Sequence, residues 1–228
     1  MAHEDVWRGY GPGAASRRPA SGARRQLWGV SIEPKAVSGS GPNARLAAVP
    51  PTVVHPAVRR VLEAAERKGV SLEVTVFAES THTAAEAARA VGAELGQIVK
   101  SLVFVTTADD GELEPVVCLV AGPNRVDLGH LAAILNRSDV RRASAAEANE
   151  LTGFVIGGIP PIGHARRVRV VMDPDLSLFP VVWAAAGIPT AVFPVAPATL
   201  RMLSDAVVAP ITEDRPRPDP AGNPQAAG

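Results

Sequence analysis

Gln97-Ile98-Val99-Lys100-Ser101-Leu102-Val103-Phe104-Val105-Thr106 is followed, after a polar break at Asp109-Asp110-Gly111, by Pro115-Val116-Val117-Cys118-Leu119-Val120-Ala121. Both runs are apolar and rich in β-branched residues, and the break between them carries turn chemistry. Ile98–Thr106 and Pro115–Ala121 are therefore predicted to pair as a hairpin. Strict alternation along the first strand puts Lys100 on one face with Ile98, Leu102 and Phe104. Ser101 then shares the other face with Val99, Val103 and Val105. The chain has 23 basic residues, of which only Lys35, Lys68 and Lys100 are lysine. In so arginine-biased a chain, a lysine inside a strand suggests a position that a guanidinium would not serve. An ammonium among large apolar groups needs a partner, shifts its pKa or meets an anionic ligand. The alternative is a lysine snorkelling from a strand edge.

Outward from this hairpin, helical and strand patterns alternate. Residues 56–68 carry Val58, Val61, Leu62 and Ala65 on one helical face, with Pro56 in the first turn and Gly69 beyond the end. Leu72–Phe77 alternates as a strand. Thr83-Ala-Ala-Glu86 and Ser144-Ala-Ala-Glu147 are capping boxes that open helices ending near Gly92 and Gly153. Asp127–Leu135 reads as a short helix. Arg167–Met172 and Ala191–Val195 read as strands, Ala198–Asp205 as a helix and Ala206–Ile211 as a last strand. The pattern predicts an α/β domain of α+β type, with short strands and short helices. No Gly-x-Gly-x-x-Gly follows a strand and no phosphate loop is present, which disfavours dinucleotide and nucleoside-triphosphate folds.

The 228 residues include 20 Gly and 21 Pro, many near the ends. Residues 1–50 are rich in Gly, Pro, Ser and Arg and are predicted to be a disordered basic arm, and 214–228 a disordered Pro-rich tail. The folded domain is expected at 51–213. The net charge of zero hides an arm at +4 and a domain at −4. The domain thus lacks a strong nucleic-acid footprint, and DNA is not expected as a partner. The single cysteine excludes an internal disulfide framework and a cysteine-based zinc cluster, and points to an intracellular protein. The apolar stretch Leu178–Ala196 is broken by Pro180, Gly187, Pro189 and Pro194, which argues against a membrane span.

A second informative segment is Thr152-Gly153-Phe154-Val155-Ile156-Gly157-Gly158-Ile159-Pro160-Pro161-Ile162-Gly163-His164. Gly157-Gly158 permits close approach to the main chain, whose N–H groups suit a carbonyl or developing oxyanion. An ordinary tight turn is the competing reading. In Ala121-Gly122-Pro123-Asn124-Arg125-Val126-Asp127, Asp127 is expected to cap the next helix. The five histidines show no metal-ligand spacing. His164 follows the glycine loop and is a candidate rim residue, whereas Cys118 reads as core.

The lysine strand, the Ala121–Leu128 segment and the Thr152–Gly163 loop, in this order and spacing, resemble the YbaK / prolyl-tRNA synthetase-associated editing-domain family. The resemblance covers about residues 56–212. It implies a mixed sheet curled into a partly closed barrel, flanked by short helices. It also implies hydrolysis of the ester of a mischarged tRNA by a trans-acting aminoacyl-tRNA deacylase, with Cys-tRNA(Pro) or Ala-tRNA(Pro) as the kind of substrate. Lys100 matches the family's essential lysine. Gly157 and Pro161 match its Gly-x-x-x-Pro loop, with Gly158 beside them. Phe77, Ser101 and Val103 become pocket walls and His164 a rim residue. No cofactor or metal is implied. The implied partners are the 3′ end of aminoacyl-tRNA and a synthetase such as prolyl-tRNA synthetase, in the cytoplasm and away from membranes. Some members carry an acid near the late strand, where this chain has Gly187-Ile188-Pro189-Thr190. Two alternatives share the fold: a non-catalytic module that binds tRNA or an aminoacyl ligand, and a small-molecule ester or amide hydrolase.

Overall fold

The structure, a computed structural model, describes residues 55–78 and 83–213. Helix α1 (Pro56–Glu66) opens where the His55 side chain accepts the Ala57 N–H, and it buries Val58, Val61, Ala64 and Ala65. Of the expected strand Leu72–Phe77, only β1 (Thr75–Val76) pairs. Helix α2 (Ala84–Val91) starts at the Thr83/Glu86 capping box and stops at left-handed Gly92. Next come β2 (Val99–Thr107), β3 (Leu113–Ala121) and α3 (Leu128–Leu135), whose N-cap is Asp127. A two-residue strand β4 (Arg141–Arg142) precedes α4 (Ala145–Thr152), which is capped by Ser144 and Glu147 and ends at Gly153. Then follow β5 (Arg169–Met172), β6 (Val182–Ala185), β7 (Ala191–Val195), α5 (Pro197–Ser204) and β8 (Val207–Val208).

The hairpin forms as expected. β2 and β3 pair antiparallel from Val99 opposite Ala121 to Thr107 opposite Leu113. They lie in a five-stranded sheet of order β4-β2-β3-β5-β8, in which β3–β5 and β5–β8 are parallel. An antiparallel sheet of order β1-β7-β6 stands beside it, and among the described residues a bridge between Ile98 and Trp183 joins the two. The mixed α+β architecture is thus the expected one, with two sheets meeting at a seam and no closed barrel. Strand β6 was hidden in the Pro- and Gly-punctuated apolar stretch, and the last strand is shorter than Ala206–Ile211.

The five-stranded sheet has core on both faces, which follows from the alternation of β2 and β3. Val99, Val103 and Val105 join Val117, Leu119 and Ala121 in the main core, with α1, α4, α5 and the small sheet. Phe104, Val116, Cys118 and Val120 face the other way, onto Leu131 and Leu135 of α3. Cys118 is fully buried there, and burial pushes its thiol up to about 12.

β4 pairs with β2 only at Phe104 and Val105. Among the described residues, the Lys100–Leu102 segment therefore pairs with β3 on one side and with no strand on the other. Helix α2 packs across this gap through Ala87 and Ala88, against Ile98 and Trp183. This uncovered half-strand is where the cleft forms.

Candidate active site

A cleft of about 240 Å3 opens beside the first half of β2. Its walls include Lys100, Ser101 and Val103 from β2, Ala87 from α2, Trp183 from β6 and Gly157 from the loop after α4. The sheet supplies one wall with fixed register, while the loop and α2 supply the others.

Lys100 is half-buried, and its ammonium donates to the main-chain carbonyl of Asn124 at 2.5 Å. Asn124 is buried in the turn after β3, and its amide Nδ2 donates to Asp173 Oδ2 at 2.7 Å and Asp175 Oδ2 at 2.9 Å. Both amide hydrogens are thus used, which fixes the turn and the carbonyl that receives the lysine. Asp173 is 1% exposed and follows directly on β5. The cation is therefore held by a chain of polar contacts running from β2 through the β3 turn to the end of β5. A partner is one of the outcomes expected for an ammonium among the apolar groups of this strand.

Ser101 points a different chemistry into the same cleft. Its Oγ is buried and has no hydrogen-bond partner among the described residues. A buried hydroxyl without a partner is costly, about 1–3 kcal/mol, unless a ligand or water satisfies it. Val103 and Ala87, both buried, line the cleft beside it and present only apolar atoms.

The glycine pair divides into two roles. Gly157 is exposed at the cleft with φ +88°, a left-handed conformation that a side chain resists. Its N–H has no main-chain partner among the described residues. The Gly158 N–H, in contrast, donates to the Val155 carbonyl at 3.0 Å and closes a turn. A Cβ at Gly158 would lie 2.6 Å from the Cα and carbonyl carbon of Ile188. Gly158 therefore serves close packing against the segment before β7. Of the pair, only Gly157 lines the cleft, with Pro189 beside it.

Gly158, Pro161, Phe77 and His164 stand outside the cleft lining. Pro161 is buried behind the loop. Phe77 follows β1, and its N–H donates to the Thr190 carbonyl at 2.7 Å. His164 does not form a rim: its Nε2 lies 2.9 Å from the Pro160 carbonyl, and its ring meets Phe154 edge-on at 6.2 Å. Burial first, and the Arg60 charge in addition, push its pKa down to about 4. The imidazole is thus neutral at pH 7, and since a carbonyl only accepts, Nε2–H is the donor. Arg142, exposed on β4, and Trp183 line the cleft and escaped sequence reasoning. A two-residue strand has no periodicity, and Trp183 lay in the stretch where proline and glycine concealed β6.

Lys100, the Ser101 hydroxyl and the main chain of Gly157 thus line one cleft whose other walls are largely apolar. That set suits a small ligand carrying a carbonyl and a nearby negative charge.

A family model described as an aminoacyl-tRNA editing domain matches residues 78–203, which include β2, the Asn124 turn and the glycine loop. A multifunctional Ser/Thr-tRNA deacylase, ProXp-y, of Escherichia coli K12 is 35% identical over 47% of this chain and 66% of its own length. A proline–tRNA ligase of Limosilactobacillus fermentum is 34% identical over 42% of this chain, which spans only 17% of the ligase. The crystal structure of a candidate trans-editing enzyme for prolyl tRNA synthetase superposes with a TM-score of 0.65 at 45% identity, over 71% of this chain and all of the other. With the matched segment reaching from just after β1 into α5, this chain belongs to the aminoacyl-tRNA editing domain family.

Proposed function

We propose that this chain is a trans-acting aminoacyl-tRNA deacylase that hydrolyses the ester between a wrong amino acid and the 3′ end of a tRNA. The observation that carries this reading is the meeting in one small cleft of Lys100, Gly157 and a Ser101 hydroxyl that has no partner among the described residues. Water adds to the ester carbonyl carbon, and the carbonyl electron pair moves onto its oxygen. As the carbonyl re-forms, the bond to the ribose oxygen breaks, and that oxygen leaves with a proton that comes from the water. The Gly157 N–H and the Lys100 charge stabilise the oxyanion, a contribution that grows in a site of low dielectric. An aminoacyl ester is already activated, so positioning a water suffices and no acyl-enzyme is needed.

The cleft, about 240 Å3, is below the roughly 300–1,000 Å3 of ordinary ligand pockets. Its walls include Ala87, Ala143, Ala185 and Val103. It suits a small side chain such as that of Ala, Ser, Thr or Cys, with the ribose outside. The Ser101 hydroxyl favours a substrate with a polar atom within reach. Relatives named for Ser/Thr-tRNA and for Cys-tRNA deacylation support that size class. Residues 51–213 carry the activity, and the basic arm adds charge that favours a polyanion. A synthetase such as prolyl-tRNA synthetase is the proposed source of tRNA selectivity, with the cytoplasm as the site of action.

The absence of an acid in Gly187–Thr190 favours a second reading, a binding module without turnover. The test is loss of label from tRNA charged with Ala, Ser, Thr, Cys or Pro, with the full chain and with Lys100→Ala. The expected result is rapid loss from one or two substrates and a decrease of about 100-fold or more in the variant. Lys100→Ala as active as wild type would overturn the mechanism. Binding without hydrolysis by the wild type would favour the module.

A further inference from the structure

The glycine–proline loop runs from Gly153 to His164 without a strand or helix of its own. Its base is closed by the Ala165 N–H donating to the Thr152 carbonyl at 2.8 Å. Above that bond lies Arg60 of α1, outside the segment the family model matches. One guanidinium nitrogen of Arg60 donates to the carbonyls of Thr152 at 3.2 Å and Gly153 at 3.0 Å. The guanidinium also stacks 3.8 Å from the centre of the Phe154 ring. Phe154 is 2% exposed and meets the His164 ring edge-on, and His164 holds the Pro160 carbonyl. Arg60 thus grips the start of the loop, and His164 ties its end to the prolines that precede it.

A cation at the C-terminus of α4 is favourable for the helix by itself. That role alone accounts for the two carbonyl contacts. It does not account for the stacking on Phe154 or for the continuation through His164 to Pro160. Guanidinium, aromatic ring and imidazole form one packed column behind the loop whose other side presents Gly157 to the cleft.

We propose that Arg60 and His164 are positioning residues that clasp the two ends of the glycine–proline loop and so hold the Gly157 N–H at the reacting carbonyl. This rests on the deacylase reading for the identity of the reaction, while the clasp itself is a property of the loop. A donor misplaced by about 1 Å costs on the order of 100-fold in rate. Because the donor acts on developing charge, loss of the clasp lowers kcat and leaves KM nearly unchanged.

The test uses the full chain with Arg60→Met, Arg60→Lys, His164→Phe and His164→Gln. Phenylalanine keeps the edge-on packing without the donor, whereas glutamine restores an N–H for the Pro160 carbonyl. Two readouts are taken: hydrogen exchange at the Gly158 and Ala165 amides, and steady-state deacylation. The expected result for Arg60→Met and His164→Phe is faster exchange at both amides and a kcat lower by about 10- to 100-fold at nearly constant KM. Lys and Gln should recover a substantial part of both. If Arg60→Met fails to fold, the His164 pair carries the comparison. Unchanged exchange and kcat in His164→Phe would overturn the proposal. So would faster exchange with unchanged kcat, which leaves the contacts a purely structural role. A wild type inactive on every ester overturns the deacylase reading instead, and the clasp is then judged on exchange alone.

Discussion

Strand β2 and the loop from Gly153 to His164 face the same cleft but are held by opposite means. β2 is fixed by a continuous ladder with β3, so Lys100 and Ser101 inherit their directions from main-chain register. The loop has no ladder and owes its shape to a few side chains and two glycine conformations. A ladder spreads the cost of any one substitution over many bonds. A clasped loop concentrates it in single contacts, so equal chemical changes should do unequal damage on the two sides.

The largest expected effect is on the loop side. Gly158→Val drives side-chain carbon into the Ile188 main chain, where even a Cβ would lie at 2.6 Å. Overpacking of this kind costs about 1–3 kcal/mol. Chemical denaturation should show that loss, with activity falling further because Gly157 moves with its neighbour. A stability equal to wild type would mean that the Gly158–Ile188 contact yields easily and that the contrast is weaker than drawn.

On the strand side, the sensitive point is the turn that receives the lysine. Asn124→Leu leaves Asp173 and Asp175 without the amide that joins them. Asp173 is buried and Asp175 half-buried, and breaking a hydrogen bond to a buried carboxylate costs about 1.5–3 kcal/mol. Deacylation should fall with it, because the carbonyl that seats Lys100 is no longer fixed. Activity within twofold of wild type would show that the β2 ladder alone suffices to aim the cation.

Acid also separates His164 of the loop from Glu147 of α4. The His164 pKa stands at about 4 in the folded chain, against 6.5 for the unperturbed group. Between those values the unfolded chain binds more protons than the folded one. Stability is therefore full above about pH 6.5 and is lost as the pH falls towards 4. Glu147, paired with Arg141, is held down to about 2, so its contribution is lost only below about pH 4.5. Thermal unfolding from pH 7 to 4 should show the earlier decline in wild type and not in His164→Phe. The same slope in both would assign the decline elsewhere.

The smallest effect is expected at Ser101→Ala, which removes a hydroxyl that has no partner among the described residues. Stability should stay level or rise by up to about 1 kcal/mol. Discrimination among esters should shift towards apolar side chains. A clear loss of stability would mean that the hydroxyl is already satisfied within the fold.

What was legible in the sequence follows the same division. The β2–β3 hairpin, both capping boxes and the helix opened by Asp127 are local patterns, and each appears where its residues indicated. Leu72–Phe77 alternates correctly, yet only Thr75 and Val76 pair, opposite Val192 and Ala191 of β7. Alternation reports a suitable surface and not the length of the partner. Val182–Ala185 forms a strand because Pro180 and Pro189 lie outside its four residues, while Pro194 sits within β7 opposite Trp183. Strand alternation and a glycine signal, which act over a few residues, single out Lys100 and Gly157, whereas Ser101 and Val103 enter through the family resemblance; all four line the cleft. His164 was placed at the rim because nothing near it in sequence announces Arg60 or Phe154 stacked behind it. Arg142 and Trp183 depend on which strands neighbour β2, and no local pattern encodes that.

Cys118 lies on the face of the large sheet turned towards α3, fully buried and with its thiol pushed up to about 12. At pH 8 the folded chain therefore offers almost no thiolate, and its sulfur is shielded from reagents. Alkylation must wait for α3 to leave the sheet or for β3 itself to open, so the rate of labelling reports how often this layer parts. The chain thus carries an internal clock for its own breathing, set behind the cleft and independent of any substrate.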